Sequence, residues 1–265
     1  MQSALINVMS AAAIKAGKGL VRDFGEVDQL QISRKGTSNF VTKSDIRTEK
    51  LLRTELEKAR PGFGFLLEEG GEVAGKDSSM RWVIDPLDGT SNFIHAIPYF
   101  CISIALEKRT VQGAETIAGV IYDPIHNELF AAEKNKGAFM NNRRIFVSKR
   151  DDMENTMLVT GNTRVAILEG NGPSLFHAIS QSGATMRFLG ATALDLANLA
   201  AGRIDACWYY SMQPWDIAAG LLLVQEAGGI CQDLTGQPAH SYSANLLATN
   251  QALVAPMQKM IQAGP

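Results

Sequence analysis

Cysteine is scarce in this chain. Three residues in 265, Cys101, Cys207 and Cys231, stand far apart with no CxxC pair. An odd, scattered set builds neither a disulfide framework nor a thiolate zinc site, and it suits a reducing compartment. The four histidines, His95, His126, His177 and His240, are equally dispersed and form no imidazole cage. An excess of one charge is also lacking: Lys+Arg 25 against Asp+Glu 27 leaves a net charge of -2. That balance argues against nucleic acid as a general partner, because such proteins carry a clear basic excess. No uninterrupted apolar run reaches the ~20 residues of a membrane span, so no membrane partner is expected. The apolar stretch 4–14 has no Lys or Arg before it, as a signal peptide would; Lys15, Lys18 and Arg22 follow it instead. Leu5, Val8, Met9, Ala12 and Ala13 recur at helical spacing, so the stretch reads as an amphipathic first helix on a core and the chain as cytoplasmic. At 46% hydrophobic and 20% charged, the composition is that of a globular protein long enough for one large or two modest domains.

The pattern along the chain predicts helix and strand in a mixed order. The first helix is expected to end between Gly17 and Gly25, and a polar stretch, 35–39, follows. A second helix is expected over 44–59, with Ser44 as its N-cap and Asp45 in its first turn. Short strands are expected at 63–67, 82–84, 101–106, 117–122 and 129–132. The segment 141–155 mixes acidic and basic residues and reads as a solvated crossover, which places a boundary between portions 1–148 and 149–265. The second portion alternates: strands at 157–160, 186–189, 204–208, 230–233 and 246–249, with helices at 173–181, 191–201, 215–227 and the C-terminus. Such alternation argues an α/β layer.

Three places carry acidic residues in positions of chemical interest. In Trp82-Val-Ile-Asp85-Pro-Leu-Asp88-Gly-Thr90-Ser-Asn-Phe93, an apolar strand ends at Asp85 and Pro86 bends the chain. Asp88 returns close to Asp85, and two carboxylates so placed suit a hard divalent cation. Gly89-Thr90 then offers free backbone N–H groups to a phosphate where a short helix begins. Taken alone, this segment is equally an ordinary turn, since Asp-Pro and Asp-Gly are both turn signals. Glu68 and Glu69 directly follow an apolar strand, and a solvated loop is their plain alternative. Asp216 opens a helix that is apolar for a dozen residues. It is either a helix-dipole aspartate or a buried carboxylate in need of a partner.

The segment from Trp82 to His95 resembles the first signature of the inositol monophosphatase family, and Trp215-Asp216-Ile-Ala-Ala-Gly through Gly228-Gly229 resembles the second. Phe40-Val-Thr42-Lys-Ser-Asp45 and Glu68-Glu69 also match the family pattern in order and spacing. The likeness covers nearly the whole chain. It implies a layered αβαβα sandwich of the inositol monophosphatase/fructose-1,6-bisphosphatase type, a homodimer, and lithium-sensitive, Mg²⁺-dependent hydrolysis of a small phosphomonoester. By the same resemblance, Glu68, Asp85 and the Leu87 carbonyl hold one Mg²⁺, and Asp85, Asp88 and Asp216 a second. Thr90 with Glu68 activates water, Asp45 supports Thr90, the Gly89 and Thr90 amides bind phosphate, and 35–42 is a mobile loop over the metals. The substrate side is assigned to Asp88, Gly89, Thr90, Gly190, Ala191, Thr192, Tyr209 and Asp216.

The sequence departs from the pattern where specificity is set. Seven residues before Asp216, where inositol-type members carry a hydroxyl-binding Glu, stands Tyr209, and Thr192 replaces a small residue at the helix start. Tyr209 is therefore expected on the substrate rim, with weaker polyol discrimination. Inositol monophosphate or a related sugar phosphate leads as substrate; histidinol phosphate, fructose 1,6-bisphosphate and a nucleotide 3′-phosphate remain alternatives. A regulatory binding protein acting with RNA or transcription machinery is the reading from another class.

Overall fold

Helix α1 (Ala4–Phe24) starts where the Ser3 hydroxyl accepts the Ile6 N–H at 3.2 Å, and it runs as one piece to Phe24, beyond Gly17 and Gly19. By length and composition it could cross a membrane, but its stripe of Ile6, Met9, Ala13 and Leu20 is buried. The computed structural model describes residues 3–26, 32–36, 39–111, 113–161 and 172–262. A hairpin of β1 (Ile32–Gly36) and β2 (Asn39–Thr42) occupies the stretch expected to be a polar loop, whose residues 37 and 38 lie outside those described. Helix α2 (Lys43–Ala59) is capped by Thr42 rather than by Ser44. The Thr42 hydroxyl accepts from the Ser44 N–H, and the Thr42 N–H donates to Asp45 Oδ2 at 2.9 Å, a reciprocal capping box. Ser44 lies one residue inside the helix, and its hydroxyl donates to buried Asp23 at 2.6 Å.

Eight strands form the first sheet, in the order β10-β9-β8-β7-β6-β5-β3-β4. These are β3 (Phe63–Leu67), β4 (Gly71–Val73), β5 (Asp77–Asp88), β6 (Cys101–Thr110), β7 (Gly113–Asp123), β8 (Glu128–Glu133), β9 (Ala138–Met140) and β10 (Arg143–Ile145). All neighbours are antiparallel except β3 and β5. Between β5 and β6 lies the short helix α3 (Thr90–Ile94). The second sheet has the order β12-β11-β13-β15-β14, with β11 (Met157–Thr160), β12 (Thr185–Arg187), β13 (Ala206–Tyr209), β14 (Ile230–Gln232) and β15 (Leu246–Thr249). Strands β12, β11 and β13 are parallel; β15 and β14 are antiparallel to their neighbours.

The inner strands of both sheets are buried on both faces, so most of them read as apolar runs rather than alternating ones. The pleat then decides which layer each residue meets. On β6, Ile102, Ile104 and Leu106 face the core under α1 and α2, whereas Cys101 and Ala105 face the central layer. On β13, Cys207 and Tyr209 face the central layer; Ala206 and Trp208 face the outer one. Helices α5 (Thr192–Ala200) and α6 (Pro214–Glu226) fill the space between the sheets. Helix α6 is buried from Ile217 to Val224, and each of its Ile, Leu and Val side chains contributes ~1.5–3 kcal/mol. Helices α4 (Gly172–Gln181) and α7 (Val254–Gln262), with the turn leading into α7, cover the far face of the second sheet through Ile179, Met257 and Leu253. The layers run helix, sheet, helix, sheet, helix, which is the αβαβα sandwich expected. The first sheet draws on residues up to 145 and the second on residues from 157, and one core joins them.

Candidate active site

Parallel β3 and β5 end at the same edge of the first sheet, so Glu68, just past β3, and Asp85 are neighbours by topology. The Glu68 N–H extends the ladder to the Ile84 carbonyl at 3.2 Å. Pro86 then changes the register. Between the Asp85–Ser103 and Asp88–Cys101 pairs, three steps along β5 oppose two along β6, a bulge that twists the strand and re-aims its side chains. The Leu87 N–H folds back to Asp85 Oδ1 at 2.9 Å. That turn directs the Leu87 carbonyl to the Thr90 hydroxyl, which donates to it at 3.0 Å or to Asp45 Oδ1 at 3.2 Å. Asp45 is 1% exposed, and burial pushes its pKa up against the opposing pull of its Thr42 hydrogen bonds.

Gly89 joins strand to helix at φ +95°, and a Cβ there would stand 3.0 Å from the Tyr99 carbonyl oxygen. Both conformation and space call for glycine. The Thr90 amide sits at the start of α3, while the Gly89 carbonyl accepts from the Phe93 N–H at 2.9 Å.

Asp216 enters from the other sheet's side, at the start of α6, where the Gln213 N–H donates to its Oδ2 at 2.8 Å. Burial raises its pKa to about 6. Asp85 is raised well above the usual carboxylate range, first by burial and then by the like charges of Glu68, Asp88 and Asp216. Asp88 is raised too, by burial and by Asp216, with the Ala193 N–H at 2.6 Å opposing. The fold thus brings Glu68, Asp85, Asp88 and Asp216 into one electrostatic neighbourhood. Among the described residues, no three Asp, Glu, His or Cys side chains already form a closed metal cage.

On the substrate side, Gly190 is exposed, Thr192 half-buried and Ala191 buried at the start of α5. Tyr209 corrects the expectation of a rim residue. It is 1% exposed and its hydroxyl donates to Asp195 Oδ2 at 2.7 Å, because the pleat of β13 turns it into the central layer. Sequence reasoning passed over two carboxylates. Glu49, one turn after Asp45 on the same face of α2, accepts the Glu69 N–H at 2.8 Å and so holds the Glu68-Glu69 turn; its i+4 spacing was a readable signal. Asp195 had none, since its tyrosine partners come from distant segments. His126 is tied to Asp123 at 2.8 Å and takes no part.

The model of the inositol monophosphatase family matches residues 1–263. An inositol-1-monophosphatase of Mesorhizobium japonicum is 44% identical over 262 residues, 98% of this chain and 97% of that protein. The Nus factor SuhB of Escherichia coli K12 is 38% identical over 254 residues, 96% of this chain and 94% of that one. The crystal structure of the extragenic suppressor protein suhB from Bartonella henselae superposes with a TM-score of 0.92 at 44% identity, covering 99% of this chain and 100% of that one. The family acts on small phosphomonoesters and uses divalent metal ions. With its layered fold and its full-length match, the chain belongs to the inositol monophosphatase family and is a phosphatase, a phosphoric monoester hydrolase.

Proposed function

We propose that this enzyme hydrolyses a small phosphomonoester, inositol monophosphate or a related sugar or polyol phosphate, with Mg²⁺ as its cofactor. The observation that carries the reading is the crowding at the strand ends: the charges that raise Asp85 are those of Glu68, Asp88 and Asp216, all of one sign. Four oxygen-donor groups that repel one another in a partly buried place fit a small hard cation. The thiol beside them, Cys101, donates to Asp88 Oδ2 at 3.8 Å, and burial with the nearby carboxylates pushes its pKa up, away from the thiolate a zinc site needs. Glu68, Asp85 and the Leu87 carbonyl would hold one ion, and Asp85, Asp88 and Asp216 a second, each ion offsetting the repulsion of the carboxylates around it. When bound, such ions lower the pKa of water and offset charge on the attacking and leaving oxygens.

The chain's own groups do the rest. Thr90 can donate its hydroxyl proton to Asp45, which turns the Thr90 lone pairs outward to accept a proton from the attacking water. Glu68 accepts that water's other hydrogen and so fixes its direction. The Gly89 and Thr90 amides receive phosphate oxygens at the start of α3, and Gly190 and Thr192 border the alcohol side. With Tyr209 turned inward, no carboxylate at that position reads substrate hydroxyls. Polyol phosphates are then separated from one another less sharply, and histidinol phosphate, fructose 1,6-bisphosphate and nucleotide 3′-phosphates belong in the same assay.

The test is hydrolysis of p-nitrophenyl phosphate and inositol monophosphate with and without Mg²⁺, and with lithium at limiting Mg²⁺. Mg²⁺-dependent release of phosphate, inhibited by lithium, supports the reading; equal rates in excess chelator overturn it. The enzyme would act in the cytoplasm as a homodimer, which sedimentation would register at twice 28.7 kDa. A second reading, a regulatory partner of RNA or the transcription machinery, is favoured by the likeness to relatives named Nus factor SuhB. Binding to RNA or to transcription proteins by an Asp88→Asn variant lacking turnover would separate that role from catalysis.

A further inference from the structure

Asp195 is a buried carboxylate in the central layer, and burial pushes its pKa up to about 7. It lies in the first turn of α5 and is 1% exposed, where an ionised carboxylate survives only with strong hydrogen-bond donors. It has two, and they come from the two halves of the molecule. Tyr99, in the segment leading into β6, donates to Oδ1 at 2.6 Å. Tyr209, on β13, donates to Oδ2 at 2.7 Å. Tyr99 is itself fastened twice. Its hydroxyl accepts from Asn198 Nδ2 at 3.2 Å, and its carbonyl accepts from Asn92 Nδ2 at 2.8 Å. The same amide donates to the Leu189 carbonyl at 2.7 Å. Gly190, at φ +85°, lies against it so closely that a Cβ would meet Nδ2 at 3.1 Å. The start of α5 is therefore pinned from α3, from the entry to β6 and from β13 at once.

What is pinned there is a hydrogen-bond donor. The Ala193 N–H, two residues before Asp195, donates to Asp88 Oδ2 at 2.6 Å, the shortest tie that Asp88 makes across the layers. We propose that Asp195 is a positioning residue: held by Tyr99 and Tyr209, it fixes the first turn of α5 so that the Ala193 amide orients Asp88 for the metal. This rests on the ligand role proposed for Asp88. It gives Tyr209 a function away from any rim. The hydroxyl that stands where inositol-type relatives carry a carboxylate is committed to a carboxylate of its own chain.

The readout is Mg²⁺ binding measured by calorimetry on the substrate-free protein, beside the melting temperature of the metal-free form. Tyr209→Phe removes one donor with almost no change of shape, and Asp195→Asn keeps the shape while mismatching one tyrosine. Both are expected to weaken Mg²⁺ binding five- to tenfold. Ile179→Ala, on the far face of the second sheet, lowers the melting temperature and leaves Mg²⁺ affinity within twofold. Asp88→Asn, the fourth arm, weakens binding more than either. Unchanged affinity in Tyr209→Phe and in Asp195→Asn, with Asp88→Asn weakened, overturns the positioning role and leaves the metal assignment standing. Unchanged affinity in Asp88→Asn overturns both.

Discussion

The Thr90 hydroxyl stands 3.2 Å from Asp45 Oδ1 and 3.0 Å from the Leu87 carbonyl oxygen. One proton cannot serve both acceptors, so its choice decides which way the Thr90 lone pairs face. An ionised Asp45, fed on its other oxygen by the Thr42 N–H and hydroxyl, draws the proton from Thr90. Protonation of Asp45 releases it towards Leu87.

Asp45→Asn puts an amide in that place. The expected outcome is a loss of kcat of about ten- to a hundredfold, the range for a group acting behind a reacting one, with KM little changed. Steady-state kinetics on one phosphomonoester at saturating Mg²⁺ would show it, and a kcat within twofold of the parent would remove Asp45 from the proton path.

Asp88→Asn and Asp216→Asn each replace a charged oxygen by a neutral, weaker ligand. Both are expected to lose Mg²⁺-supported turnover while keeping the circular dichroism of the parent protein. Near-parental kcat in either, at ordinary Mg²⁺, would mean that the second ion is held elsewhere.

The crowded carboxylates also set a pH dependence. The Asp216 pKa moves from 3.8 in the unfolded chain to about 6 in the fold, and Asp85 and Asp88 are raised in the same direction. In that window the fold holds protons that the unfolded chain has released, so stability falls as pH rises, by ~1.4 kcal/mol per unit and group. A cation removes the repulsion. Mg²⁺ is therefore expected to raise the melting temperature by several degrees at pH 7.5 and hardly at all at pH 4.5. An equal Mg²⁺ effect at both values would show that these groups are not the ones neutralised.

Tyr209→Glu introduces a second carboxylate beside Asp195 in a layer closed to water. An unpaired buried charge costs on the order of 3 kcal/mol or more. We expect a fall in melting temperature of several degrees and parallel losses on inositol monophosphate and p-nitrophenyl phosphate. A rise in the ratio of inositol phosphate to aryl phosphate hydrolysis, with the melting temperature kept, would return this position to the substrate rim.

The amino-acid sequence by itself determined the elements whose limits are written in local chemistry. The limits of β3, β11 and β15 agree with the apolar runs 63–67, 157–160 and 246–249, because turn-forming or polar residues punctuate both ends. Asp85-Pro86-Leu87-Asp88-Gly89 was legible as a turn with two carboxylates for the same reason: proline and glycine act within a few residues. Tertiary structure decided whatever depends on competition or on partners distant in sequence. Ser44 satisfies every local rule for an N-cap, yet the chain turns helical two residues earlier, where Thr42 and Asp45 close a reciprocal capping box and the Ser44 hydroxyl is left to reach buried Asp23. The hairpin strands 32–36 and 39–42 and the edge strands β4 and β10 carry little apolar pattern, and pairing with a neighbour is what makes them strands. In the run Cys207-Trp208-Tyr209-Tyr210 every residue is buried, so composition cannot say which face each one takes. The pleat of β13, set by its pairing with β11 and β15, turns Tyr209 to Asp195. The meeting of Asp216 with Asp85 and Asp88 likewise arises only when the helix that Asp216 opens is laid between two sheets, where burial and shared charge make the groups feel one another.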